Sequence, residues 1–151
     1  MLFIFMGESC TGKSTIATKV SELKNIKVYT GNEFLKLSKN QDDAWKIFSD
    51  KMNRASAQDS LSESIIYVIT ERYMLSKLQK FECKKIKFEA DLDIIKSRFT
   101  ERMNNRLPKP IETMLERKHK EWMDVSGDLT INTTKDGNIN ENIDKIIALF
   151  S

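Results

Sequence analysis

Residues Gly7-Glu8-Ser9-Cys10-Thr11-Gly12-Lys13-Ser14 carry two glycines, a lysine and a serine at the spacing G-x-x-x-x-G-K-[ST]. That spacing suits the cradling of a phosphate chain. Gly7 and Gly12 let the backbone bend around an anion with no Cβ in the way. Successive N–H groups of the loop, and of a helix that starts at its end, then point at the anion. Lys13 can reach β- and γ-phosphates, and the Ser14 hydroxyl can coordinate Mg²⁺. Gly7, Glu8, Ser9, Cys10, Thr11, Gly12, Lys13, Ser14 and Thr15 are therefore the expected nucleotide-binding stretch, with Thr15 beside the α-phosphate.

The elements that must hold this loop are legible around it. The apolar run Leu2-Phe3-Ile4-Phe5-Met6 reads as a buried strand leading into the loop, and a helix begins at Lys13. Ile26–Thr30 reads as a second strand, followed by a helix carrying Phe34, Leu35 and Leu37. Asp42–Ala57 is a further helical stretch with Trp45, Phe48, Met52 and Ala55 at three- and four-residue steps, which places them in the core. Ile65–Thr70 is a continuous apolar run, the pattern of a parallel strand buried on both faces. Glu71–Lys80 predicts a short helix and Lys85–Ala90 a fourth strand. Asp91 caps a helix whose Leu92, Ile95, Phe99 and Met103 face inward, with Arg98, Arg102 and Arg106 four residues apart on the opposite side. Leu107-Pro108-Lys109-Pro110 interrupts it. A helix then resumes to about Met123, Asp128–Thr133 makes a last strand, and Asn138 or Asn140 caps a terminal helix. Five strands alternating with helices predict a parallel sheet covered on both faces, with the site at the carboxyl edge of the first strand.

The 151 residues fit one domain, and 40% hydrophobic with 31% charged residues suits a globular chain with a core. No apolar run is long enough to cross a membrane, and the first strand lacks the basic flank and cleavage site of a signal peptide. Cys10 and Cys83 form no framework or metal-site spacing, so a reducing, cytoplasmic location is expected. The net charge of +3 is unevenly placed: the segment Lys96–Lys120 carries +5, with four of the six arginines, and the remainder is net acidic. Arginine's planar fork suits phosphate recognition. The basic segment lacks interleaved exposed aromatics, which argues against nucleic acid as the partner.

With these motifs in order, the chain resembles the small P-loop kinases, which include adenylate, shikimate and gluconate kinases. The resemblance rests on the loop, on Tyr29-Thr30-Gly31-Asn32-Glu33-Phe34-Leu35, on Arg98–Pro110, and on Leu115–His119 followed by Asp128–Thr133. It implies a three-layer α/β P-loop NTPase sandwich: a five-stranded parallel sheet with helices on both faces, in one domain over 1–151, with a short lid at about 98–113. It implies an ATP-dependent phosphotransferase that moves the γ-phosphate of Mg-ATP to a small-molecule acceptor, nucleotide or metabolite. A nucleotide-binding module or slow ATPase without a dedicated acceptor is the alternative. ATP is the expected donor because no Asn-Lys-x-Asp base-reading signature occurs.

The resemblance also assigns roles. Lys13 neutralises β/γ-phosphate charge. Arg102 and Arg106 are lid arginines, with Arg98 and Arg102 as the other register. Glu71, at the end of the third strand, is placed like an acid that holds a Mg²⁺-bound water, and with Ser14 it makes the expected metal site. Glu33 is the competing acid and a candidate for orienting the acceptor. Arg117 pairs either with an anionic group on the acceptor or with Glu121 on its own helix. His119, the only histidine, reads as a surface residue.

Overall fold

In the computed structural model of the chain, residues 1–57, 63–135 and 137–150 are described. Strands β1 (Leu2–Met6), β2 (Lys27–Thr30), β3 (Ile65–Ile69), β4 (Lys84–Glu89) and β5 (Leu129–Asn132) form one sheet in the order β2-β3-β1-β4-β5. Every pairing is parallel, and β1 is central: Phe5 sits opposite Val68 on one side and Ile86 on the other. Helices α1 (Lys13–Lys24), α2 (Gln41–Ala57), α3 (Met74–Leu78), α4 (Leu92–Arg102), α5 (Lys109–Met123) and α6 (Ile139–Ile147) connect and cover the strands. This is the expected α/β sandwich.

The period-two geometry of a strand sorts β1 between two cores. Leu2, Ile4 and Met6 pack with Phe48, Met52, Tyr67 and Trp122 on one face. Phe3 and Phe5 pack with Ile16, Val20, Ile143 and Ile146 on the other. With apolar layers on both sides, every residue of β1 and β3 is buried, which is why both read as unbroken apolar runs. Two polar groups among the aromatics pin the carboxyl edge. The Tyr67 hydroxyl donates to the Gly31 carbonyl at 2.7 Å, and Trp122 Nε1 donates to the Thr70 carbonyl at 3.1 Å. The second bond ties α5 to the end of β3.

Local differences from the expected elements have physical reasons. The segment carrying Phe34 is a single 3₁₀ stretch, Glu33–Leu37, because the Glu33 carboxylate turns back to accept the backbone N–H and hydroxyl of Thr30. The helix expected from Glu71 is confined to Met74–Leu78, after turns at 72 and 73. Helix α4 ends at Arg102, and consecutive left-handed residues Asn104 (φ 56°) and Asn105 (φ 63°) follow it. Asparagine tolerates that conformation better than most residues. The α4–α5 hairpin is closed by Ile95 and Leu115 inside and by Lys96, whose ammonium reaches Glu116 at 2.9 Å.

Candidate functional site

The loop between β1 and α1 is shaped by close approach. A Cβ at Gly7 would stand 2.4 Å from the Phe88 carbonyl oxygen, so only glycine lets β1 leave the sheet against β4. Cys10 (φ 65°) and Gly12 (φ 84°) are both left-handed and turn the backbone back into α1. The Gly12 carbonyl accepts the first helical bond, from Ile16 N–H at 3.1 Å. The opening turn of α1 thereby presents its free N–H groups at the carboxyl edge of the central strand.

Side chains brace this path from three sides. Thr11 Oγ1 donates to the Glu8 carbonyl at 2.8 Å, and Thr133, just past β5, donates its hydroxyl to the Thr11 carbonyl at 2.9 Å. Arg98 on α4 donates to the Cys10 carbonyl at 2.9 Å, to the Thr133 hydroxyl at 3.1 Å and to the Thr133 carbonyl. The Arg98 guanidinium thus rivets loop, α4 and β5 together.

Lys13 is the electrostatic centre. It is 5% exposed, and its ammonium donates to the Glu8 carbonyl at 2.6 Å and to Thr11 Oγ1 at 3.4 Å. Both partners are uncharged. Burial therefore dominates and lowers the Lys13 pKa from 10.5 to about 8, although the neighbouring Cys10 and Glu8 raise it. A buried ammonium held, among the described residues, only by neutral acceptors fits the chemistry of an arriving polyanion.

Two cavities lined by loop residues share Cys10, Gly12, Thr15 and Arg102. One, of about 110 Å³, is lined by Ser9–Thr15 together with Thr70 and Arg102. It opens beside a second, of about 250 Å³, walled by Cys10, Thr15, Arg98, Arg102, Thr133 and Lys135. A larger cavity, about 580 Å³, lies elsewhere, between the 3₁₀ stretch, α2 and α3, and no loop residue lines it. The loop cavities carry the site because the buried ammonium and the free helix N–H groups converge there.

The expected site residues divide accordingly. Ser9 to Thr15 come together at one cavity, and Arg102 joins them from the last turn of α4. Gly7 shapes the loop's exit from β1, and Glu8 lines a different cavity while its carbonyl meets Lys13. Arg106 lies beyond the helix end, exposed, and lines none of these cavities, because the two left-handed asparagines break the four-residue spacing. Glu71 forms an ion pair with Lys118 of α5, while its neighbour Thr70 reaches the loop cavity. Glu33 is occupied by Thr30. Arg117 is exposed and lies 3.8 Å from Glu121, the pairing one helical turn on.

Sequence reasoning did not find the pair Glu8–His119. Glu8 is 4% exposed, and its Oε1 lies 2.8 Å from His119 Nδ1. Burial raises the Glu8 carboxyl above its usual range, against the lowering influence of His119, Lys13 and Lys87. His119 precedes Trp122 by three residues and so shares its inward side, a signal legible in the sequence. Its partner lies 111 residues away, which spacing alone does not reveal. Lys87, 7% exposed, was also missed, although the alternation Lys85-Ile86-Lys87-Phe88-Glu89 marks one polar face on β4.

No family model matches the chain, and no curated protein matches it at the level of sequence. Solved structures do match. An uncharacterized protein from Eubacterium ventriosum superposes with a TM-score of 0.65 at 20% identity, covering 99% of this chain and 98% of that one. Shikimate kinase from Bacteroides thetaiotaomicron gives 0.63 at 7% identity, covering 99% and 97%. A gluconokinase from Sinorhizobium meliloti gives 0.61 at 14% identity, covering 98% and 90%. At these identities the likeness is one of architecture, and the chain has the α/β P-loop NTPase fold seen in the small P-loop kinases.

Proposed function

We propose that this chain is an ATP-dependent phosphotransferase acting on a small-molecule hydroxyl. The observation that carries the reading is Lys13: a buried ammonium at the carboxyl edge of β1, beside the N-terminus of α1, with only a carbonyl and a hydroxyl to hold it. Such a charge is costly until an anion arrives. The kinase folds that superpose on the chain support the same reading.

In this proposal the loop from Gly7 to Thr15 binds the phosphates through backbone N–H groups, and Lys13 compensates charge that grows on the β,γ-bridging oxygen during transfer. Arg102 adds charge from the lid side, with Arg106 entering only when the 103–108 turn moves toward the loop. Arg98 holds the loop in shape. Ser14, exposed at the start of α1, would supply the hydroxyl ligand for Mg²⁺, and Glu71 would supply an acid beyond a bound water. Hard oxygen donors of this kind suit that ion, which would neutralise phosphate charge. Glu33, held by Thr30, and Arg117, beside Glu121, are given no role in this reading. No described helix is long and apolar enough to cross a membrane, and we place the activity in the cytoplasm with a small molecule as its partner.

The test is ADP release from Mg-ATP with a panel of hydroxylated acceptors. Lys13→Ala is expected to lower turnover at least about a thousandfold, with the fold retained by circular dichroism. Turnover equal to that of the wild type in this variant contradicts the reading.

A further inference from the structure

On β4, Ile86 and Phe88 enter the core beneath α1 and α6, so Lys85, Lys87 and Glu89 project from the opposite face, toward α5. There a cavity of about 330 Å³ opens beside the loop, lined among others by Glu8, Lys87, Glu89, Asp91, His119 and Trp122. The volume lies at the lower end of the ~300–1,000 Å³ range of small-molecule pockets. Among its lining residues, Glu8 carries an unusual atom, the buried Oε2. The Glu8 side chain is 5% exposed and its Oε1 is taken by His119, yet Oε2 has no hydrogen-bond partner among the described residues. A buried carboxylate oxygen left without a donor is strongly penalised.

We propose that this cavity is the acceptor pocket, and that it takes a small molecule rich in hydroxyl or amino groups and free of phosphate or carboxylate, with one hydroxyl held by Glu8 Oε2. The proposal rests on the phosphotransferase reading and narrows its acceptor. Charge decides the class. Three carboxylates, Glu8, Glu89 and Asp91, meet one lysine, and Lys87 is already committed to Glu89 at 3.7 Å. An anionic acceptor finds no free lysine or arginine among the described lining residues, and Glu8 already engages His119. A hydrogen-bond donor finds the orphan oxygen, with Trp122 and Leu92 forming an apolar wall for a ring.

Position decides the role. The Glu8 carbonyl touches the Lys13 ammonium, so its carboxylate stands within one residue of the group that meets the γ-phosphate. The acceptor hydroxyl oxygen forms the new bond to the γ-phosphorus. The bond to the β,γ-bridging oxygen breaks, and its electron pair leaves with ADP. The hydroxyl proton passes to Glu8 Oε2, while His119 fixes Oε1 and thereby the plane of the carboxylate. Burial favours the protonated carboxyl that results.

The single histidine provides the readout, since its imidazole C–H signals in proton NMR need no assignment. The full chain with Mg²⁺ and a non-hydrolysable ATP analogue is titrated with two matched pairs, glucosamine against gluconate and deoxyguanosine against dGMP. The expected result is a saturable shift of the His119 signals with glucosamine or deoxyguanosine, and none with the anionic counterparts at equal concentration. Glu8→Gln should weaken that response roughly tenfold or more, the loss expected for one charge-assisted hydrogen bond. Asp91→Asn, at the exposed rim, should weaken it less, and it keeps the test intact should Glu8→Gln not fold. A shift from gluconate or dGMP alone, no shift from either uncharged or cationic probe, or an undiminished response in well-folded Glu8→Gln overturns the proposal. ADP release is measured on the same samples. Its absence with the His119 shifts present counts against phosphotransfer and not against the pocket.

Discussion

Of three cavities at the loop, two have walls of opposite character. On the α1–α6 side the described lining carries Arg98, Arg102 and Lys135 and no carboxylate. On the α5 side Glu8, Glu89 and Asp91 outnumber Lys87. The loop borders both, through Cys10, Gly12 and Thr15 on one side and Glu8 on the other. In the proposed reading, this difference keeps two ligands apart: the basic side would draw a polyanion and repel a cationic acceptor, and the acidic side would do the reverse. Backbone N–H groups would serve the first, and a buried carboxylate the second.

The largest expected effect after loss of Lys13 is on the basic side. Arg102→Ala should lower kcat by about 10²–10³-fold, about 3 kcal/mol, with a smaller change in the KM for ATP, because its charge is needed most when the γ-phosphate is in transit. Arg102→Lys should recover only part, since the planar fork is lost. Steady-state kinetics of the two variants would break the comparison if kcat were unchanged in both.

Next comes motion. The turn 103–108 joins two helices with few apolar anchors and carries Arg106, which is exposed. A γ-phosphate offers Arg102 and Arg106 a common partner, so amide exchange from Arg102 to Ile111 should slow with a non-hydrolysable ATP analogue and Mg²⁺, and less with ADP. Equal exchange in the apo, ADP and analogue states would make this a fixed turn and remove the lid from the mechanism.

The smallest effect concerns stability without ligand. Lys13 titrates at about 8 in the folded chain and near 10.5 when unfolded. Below pH 8 both states carry the proton and the buried charge is fully destabilising. Between about 8 and 10.5 the unfolded chain binds more protons, so this group's contribution to stability rises with pH. Lys13→Met should therefore raise the apo Tm at pH 7, by an energy on the order of 3 kcal/mol, and the gain should shrink toward pH 10. A lower Tm in Lys13→Met at pH 7 would show that the ammonium is not strained in the empty site.

Much of this architecture was legible because local pattern and tertiary environment agree. The runs Leu2–Met6 and Ile65–Ile69 could only be strands with cores on both faces. The glycines at 7 and 12 announced a loop that only glycine permits at Gly7, against β4. The arginines were legible as a group but not individually. Arg98, Arg102 and Arg106 share one spacing, yet Arg98 is spent on backbone carbonyls, Arg102 reaches the cavities and Arg106 lies past the helix end. Helix periodicity fixes a side and not what stands opposite it. Glu8 and His119 were hidden for the same reason, as their meeting depends on α5 folding back over β1 and β4, a long-range event with no local signature.

The central claim is that Lys13 is a charge waiting for a phosphate, and calorimetric titration of a non-hydrolysable ATP analogue with Mg²⁺ at pH 7 and pH 9 tests it most directly. A phosphate against Lys13 favours its charged form, so binding above pH 8 requires proton uptake. The account predicts affinity about tenfold weaker at pH 9 than at pH 7 in the wild type, and weak, nearly pH-independent binding in Lys13→Met. Equal wild-type affinity at the two pH values, or binding undiminished in Lys13→Met, would contradict it.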